Sequence, residues 1–169
     1  MIEIRKEEPQ DMDAVRQLNL AAFDNGPEAA LVDKLRASCK GYLAFVAVED
    51  GSLVGHVLFT PATVDGSGAV GMGLAPMAVM PSHQRRGIGT RLVRHGLEHL
   101  RQSGCPFVIV LGHPEYYPRF GFEPASRYCL RCQWDGVPDA AFMVIVADGS
   151  VLPEAGGVAR YRGEFDDAM

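Results

Sequence analysis

Three groups of residues have the types and spacing to do chemistry. Gln84-Arg85-Arg86-Gly87-Ile88-Gly89-Thr90 sets two arginines and two glycines directly before a run in which Ile88, Leu92, Val93, Leu97 and Leu100 recur at helical spacing. The first N–H groups of a helix have no acceptor inside it, and the helix dipole makes that end positive, so the segment describes an anion site. Glycines let a ligand approach the backbone closely, Arg85 and Arg86 add positive charge, and a diphosphate is the natural guest. Tyr116 and Tyr117 supply phenols that can donate a proton at neutral pH. Cys129-x-x-Cys132 has the spacing of a metal-binding or redox pair.

Several chemistries are excluded by what is missing. The dinucleotide pattern G-x-G-x-x-G fails because position 92 is Leu, and the phosphate-binding loop of nucleotide triphosphatases fails because no Gly-Lys-Ser/Thr follows. A zinc site needs four ligands, and no second Cys pair or close His pair accompanies Cys129 and Cys132. They are expected to be ordinary small buried side chains. No nucleophile elbow supports a Ser-His-Asp triad. As proton acceptors, His56, Glu28, His113 and Glu115 qualify by chemistry alone. His56 has a suitable unperturbed pKa of about 6.5, but a single His in an apolar strand also fits a structural role.

The elements that must position these groups read in order along the chain. Ile2 and Ile4 alternate with charged residues in a first short strand. Glu7 to Asp11, with Pro9 and acids by the positive end, opens a helix buried through Val15, Leu18 and Ala22. Asn25-Gly26-Pro27 breaks it, and a second helix runs from Glu28 to about Ser38. Apolar Leu43–Val48, a turn at 49–52 and a strand from Leu53 to Thr63 form a hairpin. The fourth strand, Leu74 to Met80, contains Pro76, which marks an edge or a bulge because proline cannot donate to a ladder. The helix after Gly87 ends at Ser103-Gly104, and Phe107–Leu111 is a buried strand parallel to the fourth. A short helix is expected over 114–120, further strands over 127–133 and 142–146, and an edge strand over 157–161.

Length and composition fit one soluble domain of 169 residues, with 47% hydrophobic and 22% charged residues. The net charge of −5 argues against nucleic-acid binding, which needs a basic surface. No apolar run approaches the roughly 20 residues needed to span a bilayer. The polar N-terminus does not read as a signal peptide, so a cytoplasmic protein is expected.

The segment Gln84-x-x-Gly87-x-Gly89, preceded by Met77-Ala78-Val79 and Pro81, resembles the acyl-CoA-binding motif of the GCN5-related N-acetyltransferases (GNAT). Tyr117-x-x-x-Gly121-Phe122 matches that family's later motif. Val54-Gly55-His56, Val110-Leu111-Gly112-His113-Pro114 and Tyr116 to Phe122 are similar to its bacterial YhbS-type branch. The resemblance implies an α/β (α+β) GNAT fold: a mixed central sheet of about seven strands, splayed between the fourth and fifth to admit the pantetheine arm, with about four helices. It covers 1–147 as the core of a single domain, leaving 148–169 as an extension.

The activity implied is acetyl transfer from acetyl-CoA to a primary amine of a small molecule or peptide, by direct attack in a ternary complex. Met77, Ala78, Val79, Gln84, Arg85, Arg86, Gly87, Ile88, Gly89, Thr90 and Tyr117 would bind the cofactor. The backbone N–H near Val79 would contact the carbonyl, and Tyr117 would protonate the departing thiolate. No metal, nucleic acid or membrane is implied, and a homodimer accords with the resemblance. Two departures stand out. The fourth strand holds no carboxylate to serve as base, and His113-Pro114 stands where family members often have Asn. A non-catalytic acyl-CoA-binding or sensing domain is therefore the alternative reading.

Overall fold

A computed structural model describes residues 1–168. The chain divides into two compact units, and β3, β4 and α3 each run from one into the other.

The first unit (1–59, 75–99 and 163–168 of the described residues) opens with β1 (Ile2–Lys6), α1 (Met12–Ala22) and α2 (Glu28–Ser38). Next come β2 (Leu43–Glu49), the first part of β3 (Ser52–Val64), the end of β4 (Val70–Val79) and most of α3 (Ile88–Gln102). β1 pairs antiparallel with β2 from Ile2↔Glu49 to Lys6↔Phe45, and β2 with β3 from Leu43↔Phe59 to Glu49↔Ser52. The β2–β3 turn uses Asp50 and Gly51 at positive φ, the backbone a tight hairpin demands. The core gathers Val15, Leu18, Leu35, Phe45, Phe59, Leu92 and Val93.

Two glycines decide how closely α3 approaches β3. A Cβ at Gly55 would lie 2.8 Å from Leu92 Cδ1 and 3.0 Å from Ile88 Cγ2, and one at Gly96 would overlap the Phe59 ring. The helix that begins at the basic loop is thus seated by two residues without side chains. The entry to α1 is fixed separately: the Asp11 carboxylate accepts from Arg5 Nη1 at 2.7 Å and from the Glu8 N–H at 2.7 Å. The arginine holds the Asp11 carboxyl below its usual pKa.

The second unit (60–74 and 100–162) holds the remainder of β3 and β4 with β5 (Phe107–Leu111), β6 (Glu123–Pro124), β7 (Leu130–Cys132), β8 (Phe142–Val146) and β9 (Gly157–Arg160). β5 runs parallel to β4 over three pairs only, Met72↔Val108 to Leu74↔Val110. Antiparallel β8 covers the other side of β5 along its whole length, from Phe107↔Val146 to Leu111↔Phe142. Gly71 is required beside Phe107, whose ring would lie 2.6 Å from a Cβ there. Phe107, Ile109, Val110, Met143 and Val144 form the core of this unit.

Several boundaries differ from the sequence reading. The short helix expected over 114–120 is a 3-10 turn, Tyr117–Phe120, because Pro118 lacks the N–H a longer helix needs. The strand expected over 127–133 shrinks to β7, since residues 125–128 form another 3-10 turn ended by Cys129 at φ 58. That backbone leaves Cys129 exposed and Cys132 half-buried, so the two are not the buried side chains expected from the sequence. β4 starts earlier than expected, at Val70, and the Ala75–Pro76 peptide within it is cis. The edge strand expected over 157–161 is β9, paired antiparallel with β3 through Thr63↔Arg160 and parallel with β7. Among the described residues no helix is long and apolar enough to cross a membrane.

Candidate functional site

In the first unit, β4 delivers Met77, Ala78 and Val79 to a turn, Pro81–His83, and the chain then enters the basic loop. Ala78 is buried, while Met77 and Val79 are half-buried. The turn is held by backbone bonds from Met80 N to Val54 O at 2.9 Å and from His83 N to Met80 O at 2.8 Å. Gln84 Nε2 reaches back to donate to Val79 O at 3.2 Å. That bond fixes the loop against the end of the strand, which explains why an amide side chain suits the first position of the motif.

The loop backbone then reverses twice through the left-handed region, with Arg85 at φ 64 and Gly87 at φ 79. A Cβ at Gly87 would meet nothing within 4 Å. Glycine is therefore required there for its backbone angle and for open approach from outside, not for clearance within the fold. Arg91 N donates to Gly87 O at 3.1 Å and closes the first turn of α3. Ile88 is buried and anchors the helix start; Gln84, Arg85, Arg86 and Gly87 are exposed, and Gly89 and Thr90 half-buried. Helix start, glycine and arginines therefore stand together on one accessible loop.

Charge within this loop is not distributed as its composition suggests. Arg86 Nη2 lies 2.8 Å from Glu49 Oε1, and His83 Nε2 lies 3.0 Å from Glu49 Oε2. The Arg86 guanidinium holds the Glu49 carboxyl below its ordinary pKa, with the nearby His83 adding to the effect. His83 Nδ1 in turn shares a hydrogen bond with Ser82 Oγ at 2.8 Å. Arg86 thus spends its charge largely on Glu49, and exposed Arg85 is the cation with its charge directed to solvent. Sequence reading passed over Glu49, which looked like part of a hairpin turn.

Tyr117 belongs to the second unit. It is 8% exposed and touches the rings of Tyr116, Phe120 and Phe122, with centroids at 5.1, 6.2 and 5.8 Å. A Cβ at Gly112 would overlap its ring, so the residue after β5 must be glycine for Tyr117 to sit there. Gly121, at φ 97, ends the 3-10 turn and lets Phe122 fold beneath. Burial pushes the Tyr117 pKa well above its ordinary value, so the phenol keeps its proton throughout the physiological range. In the same unit, Tyr161 Oη donates to Leu74 O at 2.9 Å and accepts from Leu111 N at 3.1 Å.

The candidate bases fall in different settings. His56 is 0% exposed, and its ring nitrogens make no hydrogen bond; Glu7 Oε1 lies 3.6 Å from Nε2. Glu7 is itself paired with buried Arg36, so its charge is already engaged. Desolvation, with Arg36 adding repulsion, lowers the His56 pKa to about 3 and keeps the ring neutral. That is a core histidine, out of reach of an incoming amine. Glu28 is half-buried with Oε2 lacking a hydrogen-bond partner, and His113 and Glu115 are exposed. Among the described residues no group of three or more His, Cys, Asp and Glu could hold a metal ion.

Comparison with known proteins draws these features together. The model of the acetyltransferase (GNAT) family matches residues 12–122. The uncharacterized N-acetyltransferase YhbS of Escherichia coli strain K12 is 36% identical over 164 residues, 96% of this chain and 98% of that protein. The crystal structure of E. coli YhbS in complex with CoA superposes with a TM-score of 0.88, covering 98% of this chain and 92% of that one. A GNAT family acetyltransferase from Brucella melitensis, crystallised with acetyl-CoA, is 35% identical with a TM-score of 0.81, covering 98% and 99% of the two chains.

Proposed function

The chain belongs to the acetyltransferase (GNAT) family, and on that footing we propose that it transfers an acetyl group from acetyl-CoA to a primary amine of a small molecule or peptide, by direct attack in a ternary complex. The observation that carries the proposal is the loop at 84–89: an exposed turn with Gly87 in the left-handed region and open to ligand, leading straight into α3. Its fit to a diphosphate is chemical. Backbone N–H groups at a helix start favour anions, the sequence holds no carboxylate between Asp65 and Glu98, and the one carboxylate shown against the loop, Glu49, is paired with Arg86.

In this reading Gln84, Arg85, Arg86, Gly87, Ile88, Gly89 and Thr90 receive the diphosphate, and the backbone of Met77, Ala78 and Val79 orients the arm. Acetyl-CoA supplies the thioester carrying the group to be transferred. The Val79 N–H donates toward the carbonyl oxygen as negative charge develops on it. As the amine nitrogen bonds to the carbonyl carbon and the C–S bond breaks, the Tyr117 phenol gives its proton to the sulfur. Burial keeps the phenol in its protonated, donor form at neutral pH before transfer, and the phenolate left behind regains a proton from solvent to close the cycle. The attacking nitrogen releases its own proton to solvent or to a base. The proposal treats residues 1–169 as one acetyltransferase domain. A cytoplasmic location accords with the four cysteines, all of which are free thiols.

The test is release of free CoA from acetyl-CoA across a panel of primary amines and peptides, with acetyl-CoA affinity measured in parallel by calorimetry. Turnover with at least one amine is expected. Tight acetyl-CoA binding with no turnover on any amine would favour the sensing alternative and defeat the enzymatic reading.

A further inference from the structure

The parallel ladder between β4 and β5 stops at Leu74↔Val110. In a continuing parallel ladder the carbonyl of Leu74 would accept directly from the N–H one residue beyond its partner, which is Leu111. At this rung the hydroxyl of Tyr161 bonds to both groups, accepting from Leu111 N at 3.1 Å and donating to Leu74 O at 2.9 Å. A direct backbone bond holds its two atoms about 2.9 Å apart, so an inserted oxygen makes the rung wider while leaving both groups satisfied.

The surrounding residues are arranged to keep this ring in place. Gly73 gives it room: a Cβ there would lie 2.6 Å from Tyr161 Cε1. Trp134 stacks on it at 5.8 Å between centroids, with the planes inclined by 24°. Gln133 Oε1 accepts from the Tyr161 N–H at 2.6 Å and fixes the backbone that carries it. One residue past the bridged Leu111 is Gly112, the position against which the Tyr117 ring is packed.

We infer that Tyr161 is a positioning residue for the acyl-transfer site: its hydroxyl holds β5 away from β4 at the rung after Leu74, and thereby sets where Gly112 and Tyr117 stand. The inference rests on the acetyltransferase reading for its catalytic consequence, but the bridge can be tested without turnover. Two groups respond to loss of the hydroxyl, the Leu111 N–H and the Leu74 carbonyl.

Three measurements on Tyr161→Phe decide it. Amide hydrogen exchange at Leu111 is expected to quicken at least tenfold, and a rate within twofold of the parent would overturn the bridge. A crystal structure of the variant, compared with the parent in the same crystal form, is expected to show Tyr117 displaced by more than about 0.5 Å. An unmoved Tyr117 would overturn the positioning role. With an amine that turns over, kcat is expected to fall about tenfold while the acetyl-CoA Kd changes less than twofold, a split that general destabilisation would not produce. Trp134→Leu removes the stack and keeps the hydroxyl, so Leu111 exchange should stay within twofold of the parent. Equal acceleration in both variants would assign the effect to packing and overturn the inference. If no amine turns over in the parent, the exchange and crystallographic results still stand or fall by themselves.

Discussion

The Glu49 carboxylate meets the Arg86 guanidinium at 2.8 Å across 37 residues of sequence, so the last residue of β2 neutralises one of the two arginines of the basic loop. The same carboxylate also faces His83. The anion site proposed for this loop is therefore less positive than its composition implies, and its remaining attraction would come from Arg85 and the start of α3.

Glu49→Gln is expected to tighten acetyl-CoA binding about two- to threefold at low ionic strength. The change removes a negative charge and releases Arg86, and the effect stays modest because solvent screens a pair at the loop surface. Screening should erase most of it in high salt. Adding Arg86→Ala should return affinity to the parent value or below. Calorimetric titration at two salt concentrations checks each point.

At Gly87 two substitutions separate backbone from charge. Gly87→Ala should raise the acetyl-CoA Kd only a few-fold, because φ 79 costs a non-glycine residue about 1 kcal/mol and open space surrounds the new methyl. Gly87→Asp should raise it tenfold or more, although Asp tolerates left-handed backbone better than Ala does. Equal losses in the two variants would mean that no anion sits there.

Tyr117→Phe should lower kcat at least tenfold with acetyl-CoA affinity nearly unchanged, since the ring and its packing against Gly112 and Phe122 remain. Burial raises the Tyr117 pKa, so its deprotonated form appears only at pH above the ordinary phenol range. The parent enzyme should therefore show no fall in kcat from loss of this proton up to about pH 9. A descending limb below that pH, absent in the Phe variant, would contradict the environment described.

His56 makes stability fall with acid. Its folded pKa is lowered to about 3 from an unfolded value near 6.5, so the unfolded chain binds a proton that the native state refuses. The stability this neutral ring permits is fully present above pH 6.5 and is lost progressively as the pH drops toward 3. The slope approaches about 1.4 kcal/mol per pH unit within that window. Urea unfolding at a series of pH values should show His56→Gln with a shallower decline between pH 6.5 and 4, whatever its stability at pH 8.

How much of this was legible beforehand depends on how local each feature is. The loop at 84–89 could be read because its glycines, arginines and following helix are contiguous, and a positive φ at Gly87 and an exposed helix start are short-range properties. The parallel pairing of β4 with β5 was readable from an apolar strand, a helix and a second apolar strand in succession. The aromatic packing of Tyr117 was legible in part, since Gly121-Phe122 follows it closely. Pro118 was a signal that the helix would stop after a single turn.

Other features depended on residues far apart in sequence. Nothing near Glu49 indicates that its carboxylate would meet Arg86, because that meeting depends on where a β-hairpin end and a loop fall after folding. Tyr161 lies 87 residues from Leu74 and looked like the end of an edge strand. Its hydroxyl reaches both strands because Gly73 clears space and Trp134 stacks on the ring. His56 read as more often structural than catalytic from its apolar strand, and burial with Arg36 nearby keeps it neutral. The sequence by itself determined the basic glycine loop before a helix and the order of elements, since both are written in local spacing. Only the tertiary structure decided which charges are already paired and which hydroxyl separates two strands, since those properties belong to residues that meet only after the chain has folded.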